Sequence, residues 1–104
     1  MTIHVTDQNW EETLKNNVAV VADFSATWCG PCRMLAPKID AAAEAYAGRI
    51  AVCKVDVEEC PEISEKYSIR NVPTVLYFKN GELVDKTVGA IDQATLTAKF
   101  EALL

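Results

Sequence analysis

The sequence predicts an α/β fold in which a central mixed five-stranded sheet is flanked by four helices. Apolar runs rich in β-branched residues alternate with helical segments, and strands separated by a helix pair in parallel. Towards the end of the chain an Asn-Gly pair joins two further strands, which a tight turn makes antiparallel. With 104 residues, half of them hydrophobic, the chain is predicted to form one domain over 1–104.

The first strand and helix are short. Thr2 to Val5 is predicted as an edge strand, and Thr6 or Asp7 is expected to cap the helix that follows. Trp10 and Leu14 are four residues apart, which places both on the inner face of that helix.

The second strand and helix form the centre of the predicted fold. Val18 to Ser25 is almost continuously apolar, as in a strand buried on both faces. A long helix is predicted from Gly30 to about Ala47, kinked at Pro37 and ended by Gly48. Its inward residues are predicted to be Met34, Leu35 and Ile39.

The second half of the chain is predicted to form three strands and two helices. In order, these are a strand over Ile50–Val57, a helix over Pro61–Tyr67, a strand over Pro73–Lys79, a strand over Glu82–Val88 and a helix from Asp92 to Leu104. Proline suits the first turn of the short helix, Asn80-Gly81 favours a hairpin, and Asp92 can cap the last helix.

Composition narrows the class of partner. The net charge of −5 disfavours nucleic acid and anionic membrane surfaces. The first residues do not resemble a signal peptide, and the longest apolar stretch, Val18 to Ala22, is too short to span a bilayer. We therefore expect a cytoplasmic monomer, in which four cysteines indicate catalytic, metal-binding or inert thiols.

Cys29 and Cys32 lie where the second strand passes into the long helix. If Cys29 is the N-cap, the Cys32 amide is the natural donor to its sulfur, because Pro31 has no amide hydrogen. That hydrogen bond and the helix dipole both lower the pKa of Cys29. Cys29 is thus predicted to be the nucleophile, and Cys32 the more buried resolving thiol, at a spacing that permits a disulfide. Gly30 would let a partner's backbone approach closely.

The same spacing is half of a zinc knuckle, so a structural metal is the alternative for this motif. It needs two more ligands, and the candidates are Cys53, Cys60 and His4. Cys53 and Cys60 are seven residues apart, which is not a second knuckle, so no metal is predicted.

Three segments resemble the thioredoxin family over essentially the whole chain. The run Asp23 to Cys32, ending Trp-Cys-Gly-Pro-Cys, looks like the family's active-site segment. Val72-Pro73-Thr74 and Val88-Gly89-Ala90 fall where the family has its proline loop and its glycine, and Phe78 to Gly81 matches its hairpin. Two residues depart from the family pattern, because an aromatic residue is common at Ser25 and lysine at Arg33.

The resemblance implies a thioredoxin fold and a protein-disulfide reductase whose redox-active disulfide joins Cys29 and Cys32. It implies no bound cofactor, since reducing equivalents would come from NADPH through a thioredoxin reductase. The other partners would be disulfide-containing proteins.

The resemblance also assigns supporting roles. Asp23 would sit behind Cys32 and handle its proton, the alternative being a surface carboxylate at a strand end. Lys54 would face Asp23, or would instead extend its ammonium to water. Pro73 would be cis, with the Val72 backbone free to pair with an extended substrate. The docking patch would comprise Trp28, Gly30, Pro31, Val72, Pro73, Gly89 and Ala90.

Other functions remain open at this point. An oxidant or isomerase could use the same fold, although Gly30-Pro31 favours the reducing direction, and a binding module could carry the cysteines incidentally.

Cys53 is predicted to be a buried, unreactive core residue. Cys60 is predicted to be the N-cap of the third helix, near the surface, as an accessible thiol that could form an adduct under oxidation.

Overall fold

Five strands and four helices make up the computed structural model, which describes all residues from 1 to 104. They are β1 (Ile3–His4), α1 (Trp10–Asn16), β2 (Ala19–Ser25), α2 (Gly30–Ala45), β3 (Ala51–Asp56), α3 (Pro61–Lys66), β4 (Thr74–Lys79), β5 (Glu82–Val88) and α4 (Gln93–Glu101). The element order and the fold class predicted from sequence are confirmed. No helix combines the length and apolar character that crossing a bilayer requires.

The sheet has the strand order β1-β3-β2-β4-β5, with β2 at its centre. β3 runs parallel to both β1 and β2, whereas β4 runs antiparallel to β2 and to β5. In this register Asp23 lies between Lys54 on β3 and Val75 on β4. The hairpin between β4 and β5 turns at Asn80 and Gly81, whose φ values of 54° and 81° are the positive values that a type I′ turn requires.

Two apolar cores lie on the two faces of the sheet, because successive side chains of β2 point in opposite directions. Ala19 and Val21 pack with α2 and α4 on one face. Val20, Ala22 and Phe24 pack with α1 and α3 on the other. This two-sided burial explains why the sequence of β2 is apolar without alternation.

The loop before α1 differs from the prediction that Thr6 or Asp7 caps this helix. Thr6 exchanges two hydrogen bonds of 2.8 and 3.1 Å with Asn9, which is the residue at the N-cap of α1. The Asp7 carboxylate instead accepts hydrogen bonds from the amides of Glu62 and Ile63 at the start of α3. Asp7 therefore ties two segments about 55 residues apart in the chain.

Helix α2 departs from its prediction in one respect that affects the surface near the cysteines. Leu35 and Ile39 are buried as predicted, but Met34 is 65% exposed. Consecutive helical residues are rotated by about 100°, so the side chain before Leu35 points away from the core. The helix continues through Pro37, and Gly48, with a φ of 83°, follows its end.

Candidate active site

Cys29 and Cys32 occupy the junction between the C-terminal end of β2 and the start of α2. They form a disulfide, and their Cα atoms are 5.3 Å apart. Cys29 is the N-cap residue of α2, and the Cys32 amide donates a hydrogen bond of 3.2 Å to the Cys29 sulfur. The predicted cap is therefore confirmed, and it directs the positive end of the helix dipole at this sulfur.

The two sulfurs differ in their surroundings rather than in their burial. Each cysteine is 5% exposed in this disulfide form, so the expectation that Cys32 is the more buried of the two is not met. The Cys29 sulfur receives the helical amide and also lies 3.7 Å from the carbonyl oxygen of Val72. The polar contacts therefore distinguish the Cys29 sulfur from that of Cys32, in agreement with the prediction that Cys29 is the nucleophile.

The proline loop lies against the cysteine pair. The Val72–Pro73 peptide bond is cis, Pro73 is buried, and Val72 packs on the small cluster that contains both cysteines. The Gly89 amide donates a hydrogen bond of 2.9 Å to the Pro73 carbonyl, which brings the glycine segment to the same site. Gly89 has a φ of 93°, a conformation that few residues other than glycine adopt.

The residues predicted to form the docking patch differ in exposure. Trp28 is 67% exposed and Pro31 is also exposed, while Gly30, Val72, Gly89 and Ala90 are partly exposed. Only Pro73 is buried. An exposed indole next to a reactive thiol gives a partner a large apolar contact without any rearrangement of the core.

Asp23 is the one charged residue of the buried core. It is 2% exposed, and no hydrogen-bond partner contacts its Oδ1 atom. Burial raises the pKa of Asp23 to about 6, although the positive charge of Lys54 lowers it in part. The alternative of a surface carboxylate at a strand end is therefore wrong.

Lys54 lies beside Asp23 in the sheet but directs its ammonium elsewhere. Its Nζ atom forms an ion pair of 3.0 Å with Asp40 on α2, and its side chain is 29% exposed. Lys54 thus has features of both interpretations made from the sequence. Its positive charge lowers the pKa of Asp23, while its ammonium pairs with the exposed carboxylate of Asp40. Asp40 could not be identified from sequence, because a carboxylate after the buried Ile39 looks like any solvent-facing helix residue.

The other two cysteines lie in the core on the α1 and α3 side. Cys53 is buried as predicted, and burial raises its pKa to about 12. The prediction that Cys60 is accessible is wrong. It is fully buried at the start of α3, its thiol donates a hydrogen bond of 3.3 Å to the Val5 carbonyl, and burial with nearby carboxylates raises its pKa to about 11.

We expect alkylation of the reduced native protein to modify Cys29 first and to leave Cys53 and Cys60 unmodified until the chain unfolds. Both core thiols lack solvent access and are protonated at neutral pH. Mass spectrometry after timed alkylation measures the order, and alkylation in denaturant supplies the control in which all four cysteines react. Labelling of Cys60 as fast as Cys29 would show that the start of α3 opens in the native state.

The ligand set that a zinc site would need is not assembled. Cys53 and Cys60 lie in the core away from the small cluster of Cys29 and Cys32, and His4 contacts Glu59 at 3.2 Å. No group of three or more His, Cys, Asp or Glu side chains is placed to hold a metal ion.

Comparison with known proteins identifies the family. The family model described as Thioredoxin matches residues 1–102. The chain belongs to the thioredoxin family. The resemblance drawn from the active-site run, the proline loop and the hairpin is thereby confirmed, and the strand order and the capped cysteine pair are those of a thioredoxin fold.

Thioredoxins of plants and cyanobacteria are among the similar relatives. The chain is 48% identical over 101 residues to "Thioredoxin M-type, chloroplastic" of Spinacia oleracea, a match that covers 96% of this chain and 56% of that protein. It is 46% identical over 98 residues to "Thioredoxin 1" of a Nostoc strain, covering 93% and 92%. The chain thus spans little more than half the length of the spinach thioredoxin.

Proposed function

We propose that this thioredoxin-family chain is a general protein-disulfide reductase that works by dithiol–disulfide exchange. The observation that carries the proposal is the Cys29–Cys32 pair at the start of α2, with the Cys32 amide on the Cys29 sulfur. A hydrogen bond from an amide and a helix N-terminus both favour a thiolate over a thiol. Thiolate is the nucleophilic form in disulfide exchange.

The cycle transfers two electrons from the dithiol to the substrate. The Cys29 thiolate attacks one sulfur of the substrate disulfide, whose S–S bond breaks, and the other substrate sulfur leaves as a thiolate that takes up a proton. This step forms a mixed disulfide between Cys29 and the substrate. Cys32 then loses its proton and attacks the Cys29 sulfur, which releases the second substrate thiol and leaves the Cys29–Cys32 disulfide.

We assign Asp23 the task of receiving the Cys32 proton, through a water molecule, with Lys54 tuning its charge. A carboxyl group whose pKa is about 6 is ionised at neutral pH yet basic enough to accept a proton.

Substrate would dock on the exposed Trp28 and Pro31 and pair with the Val72 backbone as an extended segment. The proposed partners are therefore disulfide-containing proteins and a reductase that restores the dithiol.

For the electron donor we propose NADPH acting through a thioredoxin reductase, in the cytoplasm. The likeness to chloroplastic M-type thioredoxins makes a ferredoxin-dependent reductase the competing donor. Supplying the oxidised chain with each reductase in turn, and measuring the appearance of free thiols, separates the two. Recharging by the ferredoxin-dependent enzyme alone would make the NADPH assignment wrong.

The function itself is tested by reduction of a protein disulfide such as that of insulin. With dithiothreitol as the reductant, we expect the chain to accelerate the reaction by at least about a hundredfold over dithiothreitol alone, because the helix cap favours the thiolate of Cys29. A redox titration should give the Cys29–Cys32 pair a low reduction potential, as expected of a reductase rather than of an oxidant or isomerase. Failure of the fully reduced chain to reduce insulin even once would contradict the proposal and favour a binding role.

A further inference from the structure

A groove of about 260 Å³ lies next to the proline loop, between the segment that follows α3 and the edge strand β5. Its walls include Ser68, Arg70, Asn71, Lys86 and Val88. One wall continues directly into Val72, and the other into Gly89. The groove therefore adjoins the surface on which substrate is proposed to dock.

The groove is positively charged although the chain as a whole carries a net charge of −5. Arg70 and Lys86 line it, and no carboxylate does. Neither cation takes part in any of the four ion pairs of the structure, which join other residues. Glu65 lines a separate groove along α3 that shares Arg70. The charges of Arg70 and Lys86 are thus available to an external partner.

The carboxylate of Asp85, next to Lys86 in sequence, already has a different cation as its partner. Asp85 points to the opposite face of β5, because side chains alternate along a strand. There it accepts a hydrogen bond of 2.7 Å from the Lys99 ammonium on α4. Asp85 therefore does not neutralise Lys86, whose side chain shares the groove face with the half-exposed Val88.

The wall that carries Arg70 is held in place by the chain itself. The Ile69 amide donates a hydrogen bond of 2.9 Å to the Ser64 carbonyl, across the turn in which Ser68 has a φ of 54°. The Thr74 hydroxyl donates to the Asn71 carbonyl. A preformed wall of this kind lowers the entropy cost of binding a partner.

We infer that this groove is a specificity subsite for an aspartate or glutamate side chain of the protein whose disulfide is reduced. The inference rests on the proposed function, since it needs a substrate segment attached at Cys29. The Val72 carbonyl is 3.7 Å from the Cys29 sulfur, and Arg70 is two residues away from Val72. An extended segment advances about 3.3 Å per residue. The acidic residue should therefore lie two to four residues from the substrate half-cystine.

The test compares two disulfide-bonded peptides that are identical except that the second, third and fourth residues from the half-cystine are Asp in one and Asn in the other. At low ionic strength we expect kcat/KM to be about fivefold higher for the Asp peptide, because two exposed cations each contribute modestly. The double variant Arg70→Gln with Lys86→Gln should bring this ratio to about one and leave the Asn peptide unaffected. Added salt should lower the ratio in the parent.

A matched control is the double variant Lys15→Gln with Arg49→Gln, which removes the same two positive charges from exposed positions outside the groove and should keep the fivefold preference. Equal kcat/KM for the two peptides in the parent would overturn the subsite alone. The subsite would also be overturned if the double variant of Arg70 and Lys86 lowered kcat/KM for both peptides to the same extent. If the reduced parent reduces neither peptide, the proposed function fails, and the subsite fails with it.

Discussion

Replacement of Cys29 by serine is expected to abolish disulfide reduction, with a loss of at least about a thousandfold, because a hydroxyl at the helix cap supplies no thiolate. Cys32→Ser should behave differently. It retains the attacking thiol, so it should carry out the first exchange and then remain joined to substrate through Cys29.

Mass spectrometry of the variants after incubation with a protein disulfide measures both outcomes. Cys32→Ser should accumulate a covalent adduct at Cys29, while Cys29→Ser should form none. Cys53→Ala is the matched control, because it removes a buried thiol that the proposed cycle does not use. Multiple turnovers by Cys32→Ser at the parental rate would show that Cys32 is not the resolving thiol.

Asp23→Asn is expected to stabilise the protein by about 3 kcal/mol above neutral pH, the equivalent of a pKa raised from 3.8 to about 6. The sign follows from proton binding. Between pH 4 and 6 the folded protein holds a proton on Asp23 that the unfolded chain has released, so the parent loses stability as the pH rises through this range. The variant lacks this carboxyl group and should not show that loss.

Denaturant unfolding at pH 4 and at pH 8 provides the measurement. The two proteins should differ little at pH 4 and by the full amount at pH 8. Asp92→Asn is the control, since Asp92 is an exposed helix cap whose pKa is lowered by its hydrogen bond with Thr95, so its replacement should give no gain in stability at pH 8. Equal free energies of unfolding for Asp23→Asn and the parent at pH 8 would contradict a buried, ionised Asp23.

The same variant should also separate the two chemical steps. If Asp23 receives the Cys32 proton, Asp23→Asn should slow release of the mixed disulfide more than the initial attack by Cys29. Single-turnover kinetics at neutral pH resolve the two phases. Equal slowing of both would assign Asp23 a structural effect on the site and no part in proton transfer.

The features that could be predicted from sequence are those decided by neighbouring residues. The cap at Cys29 depends only on the three residues that follow it, and the hairpin at Asn80 depends only on a local preference for positive φ. The continuous apolar run of β2 likewise indicates its central position. These local rules were sufficient for the fold class, the order of elements and the reactive pair.

The predictions that failed depend on contacts between distant segments. Cys60 is the N-cap residue of α3 as predicted, but the residue that follows β1 covers it, and its thiol donates a hydrogen bond to the carbonyl of Val5. Asp7 caps α3 rather than the helix next to it in sequence. The partner of Lys54 likewise could not be predicted from sequence, because only the packing of α2 on the sheet brings the Asp40 carboxylate to 3.0 Å from the Lys54 ammonium.

The central position of β2 determines which local unfolding events can disturb the cysteine pair. Its backbone is paired on both edges, to β3 and to β4, and the reactive cysteines follow directly from its end. β1 has two residues and pairs on one side only, so it can detach without disturbing this strand. Amide hydrogens of β2 should therefore exchange with solvent only through global unfolding. The cysteine pair would then keep its place at the end of β2 when β1 detaches and lose it only when the whole protein unfolds.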